Sequence, residues 1–583
     1  MDVHAHGGAL VARVLKAQGV QNLFTLCGGH ISPILVAAKE LGIRVIDVRH
    51  EATAVFAADA VARLCGIPGV AVVTAGPGVT NTVTAVKNAQ LAQSPLVLIG
   101  GATATVLKNR GALQDIDQKA LFKPHVKWLA APKTVRQIVP TLESAFRLAR
   151  EGVPGPVFVE LPVDLLYPEE LVRQWYLGEP DTSVKQRSLA SRIQKTYLRY
   201  HMNRLFAGQA DESPAPPAVS TIQRPSAAHI KQAAVLLETA QRPLMIVGSQ
   251  ALLAPAEVKQ PAKAIEGLGI PVYLAGMARG LLGPDHPLQC RHQRRQALKE
   301  ADLVILAGMP CDFRLNYGRQ IPRSAILITV NRDKGQLRLN RRPKLAIHAD
   351  PALFLWGLSD LAGWDSGRWP SWLVRLRRLQ EEGEKRITTH AEERSDWINP
   401  LRLLREIDAS LAPKSLIVAD GGDFVATASY TVRPRGPLSW LDPGVFGTLG
   451  VGAGFALGAK LCRPEAEVWI LYGDGAVGFS LMELDTFVRH GLPVIAVVGN
   501  DGGWTQIARE QVPLLKDDVG TTLARIDYHI VAEGLGARGY LLDNPADIPD
   551  VLAAARAAIG EGKPVLINAL IGKTGFRKGA VSI

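Results

Sequence analysis

Small oxygen-bearing side chains follow two apolar runs in the last third of the chain. Gly473–Ala476 reads Gly-Asp-Gly-Ala, and Asn500 and Asp501 lie 26 and 27 residues after Asp474. Carboxylate and amide oxygens are ligands of hard divalent cations, and main-chain N–H groups at the start of a helix bind phosphate. The pattern indicates a diphosphate bridged through Mg²⁺, although Asp-Gly and Asn-Asp pairs also form ordinary turns.

Two residues in the first part of the chain could transfer protons. Glu51 comes just after the apolar run that ends at Val48, and the alanine-rich sequence behind it favours a buried carboxylate. The alternative is a first-turn glutamate that only complements the helix dipole. His30 stands in the segment Gly-Gly-His-Ile, and histidine titrates near neutral pH, although a histidine in a turn can also be structural. A zinc site of the HExxH type is excluded, because position 54 is alanine.

Short apolar runs separated by helix-length segments must position these residues. Runs that are apolar on both faces are typical of parallel strands covered by helices, and ligands of such sheets bind at the carboxyl ends of the strands. The runs form three groups, which predicts an α/β fold of three doubly wound parallel-sheet domains. The predicted strands are Arg44–Val48, Val70–Thr74, Leu96–Ile99, Val157–Leu161, Leu244–Val247, Leu303–Ala307, Ala325–Val330, Leu416–Ala419, Val468–Tyr472, Val494–Val498 and Val565–Leu570.

The spacing around Asp474 carries a family resemblance. Leu457-Gly458, then Pro464, Trp469 and Leu471 before Gly473–Ala476, match the signature of thiamine-diphosphate-dependent enzymes. The chain resembles this family, which includes acetolactate synthases, benzaldehyde lyase, oxalyl-CoA decarboxylase and 2-hydroxyacyl-CoA lyases, over nearly its whole length. The similarity is greatest to the 2-hydroxyacyl-CoA lyases. The resemblance implies thiamine diphosphate and Mg²⁺ as cofactors.

The resemblance also implies roles for single residues. Mg²⁺ would be bound by Asp474, Asp501 and the main-chain carbonyl of Gly503. The family usually has a second asparagine where Asp501 stands, so Asn500 remains a second candidate ligand. Glu51 would act on the aminopyrimidine ring of the cofactor. The other implied cofactor-binding residues are Gly421, Gly422, Gly447, Leu449, Gly473, Gly475 and Ala476.

The substrate side of the site is implied in the same way. The Gly-Gly-His-Ile segment resembles the lyases and differs from the all-small segment of acetolactate synthases, so His30 would exchange a proton with the substrate hydroxyl. Gln114 lies in a loop that reaches the active site in the family. Gly276–Pro287 resembles a segment of oxalyl-CoA decarboxylase and its lyase relatives.

The family organisation implies pyrimidine-binding, central Rossmann-like and diphosphate-binding domains. We expect the pyrimidine-binding domain at residues 1–170, a linker with a basic amphipathic helix at 171–225, and the central domain, with a possible CoA nucleotide site, at 226–365. A linker helix would occupy 366–395 and the diphosphate-binding domain 396–583. Family members place their active sites between two chains, so a homodimer or homotetramer is expected. Whether FAD or ADP occupies the central domain stays open.

The 66 basic and 54 acidic residues give a net charge of +12, and two basic patches more than account for it. The patch from Phe313 to Lys344 is expected to help bind CoA phosphates, with a solvated basic face as the alternative. The patch from Lys185 to Arg204 belongs to a predicted amphipathic helix, Lys185–Gly208, which can dock on a partner or contact a membrane peripherally. Patches outside the catalytic domains do not favour a nucleic-acid partner.

Five scattered cysteines, no long apolar run and a polar N-terminus lead us to expect a cytoplasmic location.

The expected reaction is reversible cleavage of a 2-hydroxyacyl-CoA to an aldehyde and formyl-CoA, with acyloin-type condensation as its reverse. One alternative is a pyruvate carboligase of the acetolactate synthase type, which the His30 segment disfavours. A second is a catalytically silent subunit or scaffold, which the presence of both Glu51 and Asp474 disfavours.

Overall fold

The structure is a computed structural model that describes residues 6–178, 189–208, 213–218, 221–362 and 367–578. The chain forms two compact units. One comprises Met1–Ala62 with Ile67–Ser220, and the other comprises Arg63–Gly66 with Thr221–Ile583.

The first unit contains a six-stranded sheet in the order β2-β1-β3-β4-β6-β5. Its strands are β1 Asn22–Leu26, β2 Arg44–Asp47, β3 Gly69–Val73, β4 Leu96–Ala102, β5 Trp128–Ala130 and β6 Pro156–Pro162. The helices are α1 Gly7–Ala17, α2 Ser32–Glu40, α3 Glu51–Cys65, α4 Pro77–Thr80, α5 Val83–Ala92, α6 Gln118–Phe122, α7 Ile138–Arg150, α8 Glu169–Leu177 and α9 Leu189–Phe206.

The second unit begins with a sheet in the order β12-β11-β10-β7-β8-β9. Its strands are β7 Pro243–Val247, β8 Val272–Leu274, β9 Gln289–Cys290, β10 Leu303–Ala307, β11 Ile326–Asn331 and β12 Leu345–His348. The helices are α10 Ala227–Glu238, α11 Lys259–Leu268, α12 Arg294–Glu300, α13 Pro351–Ala362 and α14 Pro370–Glu392.

The same unit contains a third sheet, in the order β14-β13-β15-β16-β18-β17. Its strands are β13 Leu416–Ala419, β14 Trp440–Leu441, β15 Val468–Gly473, β16 Ile495–Asn500, β17 Arg538–Leu542 and β18 Val565–Leu570. The helices are α15 Pro400–Ser410, α16 Asp423–Thr431, α17 Val451–Cys462, α18 Asp474–Val477, α19 Glu483–His490, α20 Thr505–Leu515, α21 Tyr528–Gly534 and α22 Ile548–Gly560.

The fold predicted from the apolar runs is confirmed. All eleven predicted strands are present, and every strand pairing within the three sheets is parallel. β3 and β15, each at the centre of its sheet, are buried or nearly so along their whole length, as parallel strands covered by helices require. In each sheet the chain winds first one way and then the other, which leaves a crevice outside the carboxyl ends of the two strands at the reversal.

The basic helix predicted from Lys185 is present as α9, and the stretch 185–188 lies outside the described residues. Ile193, Tyr197 and Tyr200 are exposed, whereas Met202 and Leu205 pack into the core of the first unit. Among the described residues, no helix is both long and apolar enough to cross a bilayer.

Candidate active site

A cavity of about 660 Å³ lies at the carboxyl ends of the strands of the third sheet. The winding of this sheet reverses between β13 and β15, and there the Gly473 N–H donates to the Gly421 carbonyl over 3.0 Å. The implied cofactor-binding residues of the second unit all line the cavity: Gly421, Gly422, Gly447, Leu449, Gly473, Asp474, Gly475, Ala476, Asp501 and Gly503. Asn500 is not among the lining residues.

Two glycines allow bulky side chains to approach the cavity wall. A Cβ atom on Gly421 would stand 2.2 Å from Cδ2 of Leu449, and one on Gly475 would stand 2.4 Å from the Trp504 ring. Any side chain at either position would therefore displace its neighbour. Leu449 thus packs against the end of β13 at the wall of the cavity.

A buried carboxylate anchors the loop that carries Leu449. Asp420 accepts hydrogen bonds from the main-chain N–H groups of Gly450 and Gly452, at 2.9 and 2.8 Å. Burial raises the pKa of Asp420 to about 7, against the opposing effect of these bonds. The loop and the first residues of α17 are thus held to the end of β13.

Asp474 is fixed by main-chain donors on both of its carboxylate oxygens. Oδ1 accepts from the Gly475 N–H and Oδ2 from the Gly503 N–H, each at 2.9 Å, and the residue is 3% exposed. Burial raises its pKa, and these hydrogen bonds oppose the rise. The second bond connects the end of β15 to the loop after β16, which brings the two predicted motifs together.

Asp501 and Asn500 have different surroundings. Asp501 lines the cavity, and its pKa is raised to about 6, mainly by burial and further by the charge of Asp474. Asn500 is fully buried, and its Nδ2 donates to the Ile526 carbonyl and to Asn568, each at 3.1 Å. Within the described residues no three His, Cys, Asp or Glu side chains form a metal-binding group. A metal here would therefore need main-chain and ligand oxygens besides the two carboxylates.

We expect Asp501→Asn to retain cofactor binding and Asp501→Ala to weaken Mg²⁺-dependent binding at least about 10-fold. An amide oxygen can replace the carboxylate oxygen as a ligand, whereas a methyl group cannot. Calorimetric titration of the protein with thiamine diphosphate at several Mg²⁺ concentrations measures the difference. Full binding by Asp501→Ala, with binding lost in a folded Asn500→Ala protein, would assign the ligand to Asn500 instead.

In the first unit, Glu51 is the first residue of α3 and is 7% exposed. Asn81 Nδ2 donates to Glu51 Oε2 over 2.9 Å. A Cβ atom on Gly78 would lie 3.7 Å from Oε1, so the missing side chain of this glycine leaves space beside that oxygen. The carboxylate is therefore buried and is oriented through one oxygen, while a glycine lies beside the other oxygen.

His30 lies at the carboxyl end of β1, where the winding of the first sheet reverses. Its Nδ1 is 3.1 Å from Oγ1 of Thr74, which follows the neighbouring strand β3. Burial lowers the pKa of His30 from its ordinary value of 6.5, so the imidazole is neutral at pH 7. The Thr74 contact fixes the ring and leaves Nε2 for a substrate.

Two glutamines lie near each other in sequence, Gln114 in the loop in which it was predicted to act and Gln118 at the start of α6, which follows that loop. Gln114 adopts a left-handed backbone conformation (φ 63°), which is unusual for a residue other than glycine, and it packs against Gly76. Gln118 is buried, accepts from the Gly76 N–H at 3.0 Å and donates to Glu160 at 3.1 Å. Gln118 is thus the structural member of the pair, and Gln114 is the one left with side-chain freedom.

The sequence analysis named the residues that the resemblance implies form the site. It did not name the residues that orient them. Asn81 and Thr74 both follow β3, in the segment Thr74–Asn81, which contains two glycines. Trp504 and Arg279 also line the cavity or contact its wall. A sheet order would have been needed to predict their positions, because their partners are distant in sequence.

Three family models match the chain. They are the N-terminal TPP binding domain of thiamine pyrophosphate enzymes over residues 5–121, the central domain over 230–358 and the C-terminal TPP binding domain over 420–569. The chain belongs to the thiamine pyrophosphate enzyme family. As a family member it uses thiamine diphosphate (thiamine pyrophosphate) as cofactor.

Curated members of this family are similar over nearly the full chain. The chain is 53% identical to 2-hydroxyacyl-CoA lyase 2 of Danio rerio, over 99% of this chain and 93% of that protein. It is 52% identical to 2-hydroxyacyl-CoA lyase 2 of Homo sapiens, over 99% and 92%. A more distant relative is the acetolactate synthase large subunit of Mycobacterium tuberculosis, 35% identical over 97% and 95%.

Proposed function

We propose that the chain catalyses the thiamine-diphosphate-dependent, reversible cleavage of a 2-hydroxyacyl-CoA to an aldehyde and formyl-CoA. The observation that carries this proposal is His30, a neutral imidazole held by Thr74 at the strand-end crevice of the first sheet. Such a group suits a substrate whose hydroxyl must lose a proton. The relatives named 2-hydroxyacyl-CoA lyase 2 support the same substrate class.

The residues of the second unit suit the diphosphate of the cofactor. Two buried carboxylates and the carbonyl of Gly503 offer the oxygen ligands that Mg²⁺ prefers, beside glycines that leave room for a bound group. Asp474, Asp501 and Gly503 would hold the metal. The bound cofactor supplies a nucleophilic carbon and an electron sink. Glu51 would hold and release a proton at the pyrimidine ring, which its buried, half-satisfied carboxylate allows.

In the proposed cleavage His30 carries one proton, and the atoms of the substrate and of the two products balance. His30 Nε2 accepts the proton of the C2 hydroxyl, and that oxygen becomes the aldehyde oxygen. The C1–C2 bond breaks, and its electron pair remains with C1. C1 then takes up a proton, which gives formyl-CoA. In the condensation direction the same imidazole returns the proton to the new hydroxyl.

The active species is proposed to be a homodimer or a dimer of dimers. Glu51, His30 and Gln114 of one copy would face Asp474 and Asp501 of a second copy, as in the family arrangement. Light scattering of the cofactor-loaded protein tests this, because a purely monomeric active species would contradict it.

The reaction is tested by incubating the cofactor-loaded protein with 2-hydroxyacyl-CoA esters, oxalyl-CoA and pyruvate in parallel. We expect aldehyde and formyl-CoA from the first, measured by aldehyde trapping and chromatography of CoA species. Acetolactate from pyruvate, with no aldehyde from any 2-hydroxyacyl-CoA, would replace this function with that of a pyruvate carboligase.

His30→Gln is expected to lower kcat/KM for cleavage by about 10²-fold, the contribution of one positioned acid–base group. Protonation removes the acceptor, so wild-type activity should fall with decreasing pH only below about 6.5, because burial lowers the pKa of His30 from that value. The variant should lack this acid limb. His229→Gln, a change at a partly exposed position of α10, is the control. An unchanged pH profile in His30→Gln would exclude His30 as the proton acceptor.

A further inference from the structure

A second cavity of the second unit, about 360 Å³ in volume, has a wall rich in arginine. Arg279, Arg291, Arg294 and Arg295 all line it. No aspartate or glutamate occurs among the described residues that line it. We call it the arginine cavity. Its positive charge therefore has no matching carboxylate within the wall.

The arginines are satisfied mainly by main-chain carbonyls rather than by acids. Arg279 donates to the Ser429 carbonyl at 2.8 Å, Arg291 to the Tyr430 carbonyl at 3.0 Å, and Arg294 to the Arg314 carbonyl at 2.7 Å. The buried Nε of Arg279 has no hydrogen-bond partner in the described part of the chain.

The neighbouring carboxylates are engaged elsewhere. Glu384 lies 3.8 Å from Arg291 but 2.9 Å from His292 Nε2, so it bonds mainly to the histidine. Asp442 acts on Arg279 electrostatically, yet its oxygens accept from Trp440 Nε1 and from the Gly444 N–H. Burial lowers the pKa of Arg291 to about 10, which reports the cost of keeping this charge away from water.

A bound anion would offset the unfavourable free energy of keeping these arginine charges away from water. The planar guanidinium group can donate two hydrogen bonds to the oxygens of one phosphate group. The arginine cavity also adjoins the cavity that contains Asp474, because Arg279 and Ser429 line both. A ligand with phosphates at one end could therefore reach the catalytic cavity with its other end.

The basic patch from Phe313 to Lys344 is less available for phosphate. Arg314 forms a two-pronged ion pair with Asp312, and Arg332 pairs with buried Asp350. Arg341 donates to the carbonyls of Gly318 and Ile321, each at 2.7 Å. These three guanidinium groups hold the central domain together, so they are less available to the CoA phosphates that the sequence analysis assigned to this patch.

We propose that the arginine cavity binds the phosphate groups of the CoA part of the substrate. This inference rests on the proposed function for the identity of the ligand. It predicts that the arginines contribute to binding of the CoA part and not to the chemistry of the acyl part.

The test uses the cofactor-loaded full-length protein and the variants Arg291→Gln, Arg294→Gln and Arg295→Gln, because these three arginines line the arginine cavity and not the catalytic cavity. We expect each to raise the Kd of free CoA, and the KM of a 2-hydroxyacyl-CoA, by about 10-fold, as loss of a charge-assisted hydrogen bond does. Turnover of the same acyl group as its N-acetylcysteamine thioester, which has no phosphate, should be unchanged. Arg378→Gln, an exposed change on α14, is the matched control.

Three results would overturn the inference. The first is an unchanged Kd for CoA in all three variants, and the second is an equal loss on the phosphate-free thioester, which indicates a structural role. The third is a loss of CoA affinity in Arg323→Gln but not in Arg294→Gln, which would assign the phosphates to the Phe313–Lys344 patch. ADP and inorganic phosphate serve as competitors of CoA in the same titrations.

The two proposals can fail separately. Calorimetry with free CoA reports on the arginine cavity without turnover. Aldehyde formation by the wild-type protein reports on the reaction.

Discussion

Glu51→Gln is expected to lower kcat/KM for 2-hydroxyacyl-CoA cleavage by about 10²–10⁴-fold, the range for loss of a positioned acid–base group. The amide has nearly the shape of the carboxylate and keeps an oxygen for the hydrogen bond from Asn81, so the fold and the pocket should persist. What is lost is the ability to hold and release a proton at the cofactor. Steady-state aldehyde formation measures the effect.

Calorimetry must show that Glu51→Gln still binds thiamine diphosphate with Mg²⁺, since its proposed role is in activation rather than in attachment. Glu40→Gln, an exposed change at the end of α2, is the matched control and should keep full activity. Near-normal turnover in Glu51→Gln would remove Glu51 from the mechanism.

Asp474→Ala is expected to weaken thiamine diphosphate binding in the presence of Mg²⁺ at least about 100-fold. Loss of a residue that only hydrogen-bonds to a metal ligand costs about 10- to 100-fold, and loss of a ligand itself should cost more. The substitution removes a charged ligand and also leaves the N–H groups of Gly475 and Gly503 without their acceptor. Each unpaired buried donor costs about 1–3 kcal/mol of stability. Calorimetric titration, with chemical denaturation of the cofactor-free protein beside it, separates the two effects.

Asp543→Ala, an exposed change after β17, is the control for Asp474→Ala and should leave both quantities unaltered. Asp474→Asn is a second variant for the same titration, because its amide oxygen can still accept one main-chain hydrogen bond. Tight cofactor binding by a folded Asp474→Ala protein would rule out the proposed metal site.

The apolar runs were sufficient to predict the three parallel sheets because central strands are buried on both faces. The strands that the pattern did not predict are short or mixed in character. β9 and β14 have two residues each, and β17 is half exposed. In β1, whose three central residues are buried, the strand begins with Asn22 and its apolar run is interrupted by Thr25. Such strands are defined by their neighbours in the sheet rather than by their own composition.

The residues of the candidate site also divide into those that the sequence could predict and those that it could not. Residues in a dense local motif, such as Asp474 and Glu51, could be proposed from the sequence. The partners that orient the site residues could not, because Asn81 lies 30 residues from Glu51 and Thr74 lies 44 residues from His30. The arginine cavity could not be recognised from a local motif alone, since its lining comes from two stretches more than a hundred residues apart.

The wholly parallel pairing of the three sheets has a consequence for how the protein reaches its active form. Parallel neighbours cannot be joined by a tight turn, so each pairing must wait until an intervening crossover has formed, and such long-range closure is slow. Gly421 and Gly473, whose backbones meet at the catalytic crevice, are 52 residues apart. No partial cofactor pocket can therefore form on a short segment ahead of the sheet. Thiamine diphosphate should bind only the completed fold, and an excess of it should draw late folding intermediates toward the native state by mass action.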